Sequence, residues 1–176
     1  MELHTAARLD PAMKQPLSTF VTGANYPKSD AFPVLAGDAG VHEDLDSAIF
    51  VFDKGYVHYG RFASMKNEGM DFVTPLKDNT KHEVVDTLHD FEHEQSDSEE
   101  VRVIDEDIEL GTVGREYQKV TVMHDDDDDE VYLTTLSSDE FDALEVALIY
   151  GVRWLIEIMF RELKQYTNIQ RFTVQS

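Results

Sequence analysis

The sequence predicts a mixed α/β layer fold, and three features lead there. The apolar run Ala48 to Phe52 (AIFVF) reads as a central strand covered on both faces. From Lys77 to Leu136, short β-prone runs alternate with polar turns. From about Asp139 to Lys164, Val146, Ile149, Leu155, Ile156, Phe160 and Leu163 recur at helical spacing, predicting one long helix. Strands followed by helices, then strands and a last helix, suit stacked layers of sheet and helix.

Taken in order, Leu3 to Leu9 alternates loosely and reads as a strand, and Asp10 to Pro16 as a turn. Leu17 to Thr22 is a second strand, antiparallel to the first. Gly23 to Ser29 is a breaker rich in Gly, Asn and Pro. Asp30 to Leu35 offers one or two helical turns before a Gly-rich acidic loop to Asp46. After the AIFVF strand, Asp53-Lys54-Gly55 is a turn. Tyr56, Tyr59, Phe62 and Ala63 then predict a helix over Tyr56 to Lys66. Met70 to Leu76 is a strand, and Pro75 marks its end or an edge. Val101 to Ile104, Ile108 to Leu110 and Val120 to Met123 are further strands, and the Asp125 to Asp129 run caps a hairpin to Val131–Leu136. Ser137 and Glu140 form an S-x-x-E capping box that starts the long helix. The tail from Gln165 to Ser176 is polar.

A chain of 176 residues that is 41% hydrophobic can bury one sizeable core. With no cysteine, disulfides and thiolate zinc sites are excluded. No apolar run reaches the roughly 18 residues of a membrane span, and the expected compartment is the cytoplasm. The 36 Asp and Glu against 15 Lys and Arg give a net charge of −21. Taken alone, that argues against nucleic-acid binding. The acids are spread along the whole chain and lysine is scarce, which fits a salt-loaded cytoplasm and a halophilic source. In roughly 1 M salt the screening length is only about 3 Å, so distant carboxylates would barely repel DNA.

Tyr150, Arg153, Glu157 and Lys164 stand in the pattern Y-x2-R-x3-E-x6-K. On a continuous helix these offsets place all four side chains on one stripe. A carboxylate suits a divalent cation, and Arg and Lys suit phosphate oxygens. The bland reading is an amphipathic surface helix with Glu–Arg pairs worth a few tenths of a kcal/mol each. Asp53 ends the most apolar strand, where functional groups collect in open α/β sheets; its bland reading is a helix cap.

The helix pattern resembles the signature of the insertion-sequence DDE transposases, in the branch named for its Tyr-Arg-Glu-Lys motif. DKGYVHYGRF around Asp53, MDFVTPLKDN from Met70 and YLTTLSS before the helix resemble other segments of that family, in the same order. At Pro75 the chain lacks a basic residue found in many relatives. The resemblance implies a ribonuclease H-like mixed sheet with flanking helices and a β-rich insertion before the last long helix. It implies a single incomplete catalytic domain over residues 1–176: a sheet core at 1–76, the insertion at 77–136, the signature helix at 137–166 and a tail at 167–176. By that resemblance Asp53 and Glu157 are catalytic acids that bind Mg²⁺ or Mn²⁺, and Tyr150, Arg153 and Lys164 contact DNA. The partners it implies are transposon ends and target DNA, with a homodimer in a synaptic complex and no membrane. The implied reaction is phosphodiester cleavage and strand transfer.

The opening strand resembles the family's second strand, so the first catalytic Asp has no counterpart. Asp10 is the only early candidate for it, in a Leu-Asp-Pro context that reads as a turn. The chain is therefore expected to be the C-terminal portion of a longer transposase. Two alternatives stand beside the enzyme: a non-catalytic remnant or regulatory fragment, and an acidic protein-interaction domain. Other motifs carry ordinary readings. His89 and His93 in LHDFEHE sit on a solvated acidic helix without a third zinc ligand. The five-Asp run lacks the Gly and distal Glu of an EF-hand. Trp154 is expected to anchor the core.

Overall fold

A computed structural model describes residues 2–9, 14–22, 27–35, 48–95, 99–111, 113–125, 128–158 and 161. β1 (Glu2–Leu9) and β2 (Lys14–Thr22) pair antiparallel as a two-stranded sheet, as the alternation predicted. Asp10 lies outside the described residues. A 3-10 turn at Lys28–Asp30 leads into α1 (residues 31–35).

The main sheet has six strands: β3 (Ile49–Val51), β4 (Asp71–Pro75), β5 (His82–Gln95), β6 (Glu99–Leu110), β7 (Arg115–His124) and β8 (Glu130–Thr134). Their order is β3-β4-β8-β7-β6-β5. β3 and β4 run parallel, joined through α2 (Tyr59–Asn67), and every other pairing is antiparallel. The architecture is mixed α/β with flanking helices. No described helix is long and apolar enough to cross a membrane.

Two cores lie on opposite faces of this sheet. On one, Phe62 and Met65 of α2 pack with Phe52, Phe72, Ile108, Leu110, Tyr117 and Leu133. On the other, α3 (Ala143–Gly151) lays Ala143 and Val146 against Val73, Val101, Val103, Val120, Val122 and Tyr132. Opposed residues of an antiparallel pair share a face, so the β6–β7 register puts Val103 with Val122 on one side and Ile108 with Tyr117 on the other. α2 stops at Gly69 (φ 70°), where Met70 N–H bonds back to Met65 O and Gly69 N–H to Lys66 O. This is a Schellman ending, in which glycine adopts the left-handed conformation without the usual steric cost.

Four expectations need correction. First, β3 is an edge strand: among the described residues its only hydrogen-bonded neighbour is β4. Its apolar run is still explained. Phe50 and Phe52 pack beneath Phe32, and Ile49 packs against the opposite core. A continuous apolar run reports cover on both faces, not neighbours on both edges.

Second, the long helix begins four residues later than predicted, at Ala143. Glu140 and Phe141 N–H both bond to Ser137 O in an isolated turn. The capping box is instead Asp142 with Glu145, which has the same spacing and satisfies two end donors reciprocally. The helix is also interrupted. After Gly151 the amides of Arg153, Leu155 and Ile156 bond three residues back, and helix resumes over 154–158. Glycine is a weak helix former, and the tighter turn follows it directly.

Third, Trp154 is 56% exposed and anchors no core. It lies beyond the tightened turn, past the stretch of helix that the sheet covers. Fourth, His89 and His93 lie on β5, not on a helix. Val84, Val85, Thr87 and Phe91 suit a strand, and pairing with β6 overrides the local pattern.

Candidate active site

The candidate site gathers where β3 and β4 end. The chain leaves β3 through Phe52, whose N–H bonds to Val73 O and so extends the parallel pairing. Asp53 then caps a 3-10 turn at Lys54–Tyr56, its Oδ1 accepting from Lys54 N–H at 2.8 Å. The carboxylate is exposed. The loop after β4 is tied to this turn: Lys54 Nζ donates to Asp78 Oδ1 at 3.1 Å, and the Tyr59 and Thr80 hydroxyls bond each other.

β8 runs antiparallel to β4 and so begins at this same end, with Tyr132 opposite Pro75. The Tyr132 hydroxyl donates to Glu130 Oε2 at 2.6 Å. α3 crosses above and sets the Tyr150 ring 4.8 Å from that of Tyr132. The Arg153 guanidinium lies 5.3 Å from the Tyr150 ring centroid, and its Nη1 donates to Glu157 Oε1 at 2.7 Å. Lys54, Pro75, Asp78, Glu130, Tyr132 and Tyr150 line a cleft of about 220 Å³.

Electrostatics link Asp53 to the helix. Burial pushes the Tyr150 hydroxyl up; Arg153 opposes this, and Asp53 adds to it. Burial disfavours the charged Arg153 guanidinium. The hydrogen bond to Glu157 and the fields of Tyr150, Asp53 and Glu157 outweigh it, so Arg153 is raised above its usual value. Tyr150 and Arg153 thus lie within the field of Asp53, and Glu157 is joined to them through Arg153. Lys164 lies outside the described residues. Tyr132, Glu130 and Lys54 escaped the sequence reading. Their place depends on which strand ends meet, and no local spacing records that.

The buried phenols predict a pH response. Tyr132 is raised by burial and then by Glu130, and Tyr150 is raised by burial. Their protonated forms are favoured by folding. This contribution is complete below about pH 10, the unfolded phenol value, and is lost as pH rises through the higher folded values. Burial raises Tyr117 as well, so alkaline titration at 295 nm is expected to show three tyrosines, Tyr117, Tyr132 and Tyr150, ionising later than the rest, together with unfolding. Tyr132→Phe is expected to remove one of them.

The carboxylates of Asp53 and Glu157 are of the type that a divalent ion takes, but the described residues do not by themselves complete a site for it. Among the described residues no three His, Cys, Asp or Glu side chains gather in a way that could hold one. One oxygen of Asp53 is engaged by a backbone amide, and one of Glu157 by Arg153.

A family described as "Transposase DDE domain" matches residues 2–176 of this sequence. The chain belongs to the DDE transposase family. A protein of Sinorhizobium fredii, y4zB, provisionally named a transposase, is 28% identical over 179 residues. That alignment covers 98% of this DDE domain chain and 46% of y4zB, so the chain spans about half the length of the relative it matches. Transposases act on DNA, and DDE domains in general use a divalent metal.

Proposed function

We propose that this chain is part of the catalytic domain of a DNA transposase, with a ribonuclease H-like core. In this reading its reaction class is phosphodiester cleavage and strand transfer at transposon ends, with Mg²⁺ or Mn²⁺ as the ion. Asp53 and Glu157 are the acids of the site, and Tyr150, Arg153 and Lys164 hold DNA phosphates. The observation that carries the reading is that Tyr150 and Arg153, the latter bound to Glu157, lie in the field of Asp53 beside the cleft at the C-terminal ends of two parallel strands, the usual place for function in open α/β sheets. A guanidinium stacked on a phenol and paired with a single carboxylate can exchange that partner for a phosphate. The acidic surface is consistent with a halophilic source, where salt screens its repulsion of DNA.

The two acids do not by themselves assemble a metal site, which favours a second reading. In that reading the chain grips DNA without cutting it, as a remnant or regulatory fragment. Purified chain with element-end DNA and Mg²⁺ or Mn²⁺ separates the two. Cleavage abolished by Asp53→Ala supports the enzyme. Binding without cleavage from low to molar KCl supports the fragment. No DNA binding under any of these conditions rejects both, and leaves an acidic protein-interaction domain.

A further inference from the structure

We propose that the outer edge of β5 is a docking site for an extended, Lys- and Arg-rich segment of another protein, which adds to the sheet as a further strand. The proposal uses no residue of the candidate active site and stands or falls separately from it.

β5 is the last strand of the sheet and runs for 14 residues, against a usual five or six. Among the described residues nothing pairs with its outer side, so a row of backbone N–H and C=O groups faces outward. Open edges of this kind are normally blunted by charged side chains, Lys above all, or by Pro, shortness or bulges; the carboxylates of β5 turn away acidic edges but leave it open to basic ones. β5 contains no Lys and no Pro. Its two bulges, between Val84 and Asp86 and between Thr87 and His89, lie in its first half. From His89 onward it pairs with β6 without a register shift.

This regular half has two distinct faces, because strand side chains alternate. His89, Phe91 and His93 share one face; Asp90, Glu92 and Glu94 share the other. All six are exposed, and Phe91 is an apolar side chain left 38% open. An incoming strand that alternates apolar and basic residues would lay its apolar side by Phe91 and its cations by the carboxylates. Such cross-strand pairs are the unit of sheet stabilisation, and strand addition to an open edge is a recurrent mode of peptide recognition.

Charge selects among occupants. Residues 82–110, the β5–β6 hairpin, contain twelve Asp or Glu, one Arg and no Lys. The single Arg102 is bound by both oxygens of Asp90, at 2.8 and 2.6 Å. The hairpin is about a sixth of the chain yet holds a third of its 36 acids. At contact range, where salt screens least, these carboxylates would oppose DNA phosphates, and a second copy would set the same carboxylates against each other. A basic strand is complementary in both backbone and charge.

The test uses the full chain, in the lowest KCl concentration at which circular dichroism shows the strand-rich fold. The probe is a fluorescein-labelled peptide of four Lys-Val repeats. Its control is the same peptide N-methylated at every residue, which keeps the side-chain charge but leaves no backbone N–H to donate on either edge. The expected result is at least tenfold tighter binding of the unmodified peptide, with amide exchange slowed over residues 89–95. Phe91→Lys, and separately the double change Glu92→Lys with Glu94→Lys, should each weaken binding at least tenfold. Both replace exposed side chains, and if one disturbs the fold the other still decides. Equal binding of the two peptides would reduce the effect to bulk charge and overturn the proposal. So would protection of residues 89–95 by a DNA duplex, or by self-association of the chain that the peptide cannot displace.

Discussion

Replacing Phe62 with Ala is expected to lower the free energy of unfolding by about 3–5 kcal/mol. Phe62 is 1% exposed and lies at the centre of the aromatic cluster under α2. Its ring stacks on Phe72 at 4.4 Å and meets Phe52 at 5.4 Å. Truncation removes the transfer energy of the ring and leaves a cavity bounded by sheet residues from β4 and by Phe52, which cannot collapse far. Domains of this size are stable by only about 5–15 kcal/mol, so a large share would go. Urea denaturation checks it. Leu148→Ala, at a side chain 71% exposed on α3, serves as control and should stay within about 0.5 kcal/mol. A loss under 1 kcal/mol at Phe62 would mean that α2 does not pack against the sheet as described. Asp53 would lose its frame as well, because β3, its capped turn and α2 form one connected unit.

Arg153→Ala carries the largest expected effect on DNA binding. Arg153 sits against Tyr150 and donates to Glu157, and its buried Nε has no hydrogen-bond partner among the described residues. A charge-assisted bond to phosphate is worth about 1.5–3 kcal/mol, so its loss should weaken affinity about 10- to 100-fold. The phosphate contact has a second signature: the slope of log affinity against log salt should fall in magnitude by about 1. Arg153→Lys keeps the charge but loses the fork and should recover part of both. Fluorescence anisotropy with a labelled duplex across a KCl series measures the two together. Weaker affinity with an unchanged slope would show that Arg153 only supports Tyr150. Unchanged affinity would remove Arg153 from the interface.

Much of the fold was legible because it is written in local periodicity. The β1–β2 hairpin, β4 ending at Pro75, α2 with Phe62 inward and the β7–β8 hairpin around the Asp run all follow from alternation or helical spacing. The misreadings were of another kind. Asp142 and Glu145 repeat the spacing of Ser137 and Glu140, so two candidate caps competed and only packing of Val146 against the sheet chose between them. LHDFEHE has no strong period, and pairing with β6 decided its conformation. Trp154 was placed by extrapolating an unbroken helix through Gly151, where the hydrogen bonds tighten.

The candidate site divides along the same line. The sequence by itself determined the family, the spacing of Tyr150, Arg153 and Glu157, and the chain's acid excess. These rest on residue identity and spacing, which survive without coordinates. Only the tertiary structure decided that Tyr132 and Glu130 stand beneath Tyr150, that Lys54 is tied to Asp78, and that β5 is the open end of the sheet. The physical reason is distance along the chain. Strand order and the meeting of strand ends are set by burial and backbone pairing between segments tens of residues apart, and no local pattern encodes which of them will be neighbours.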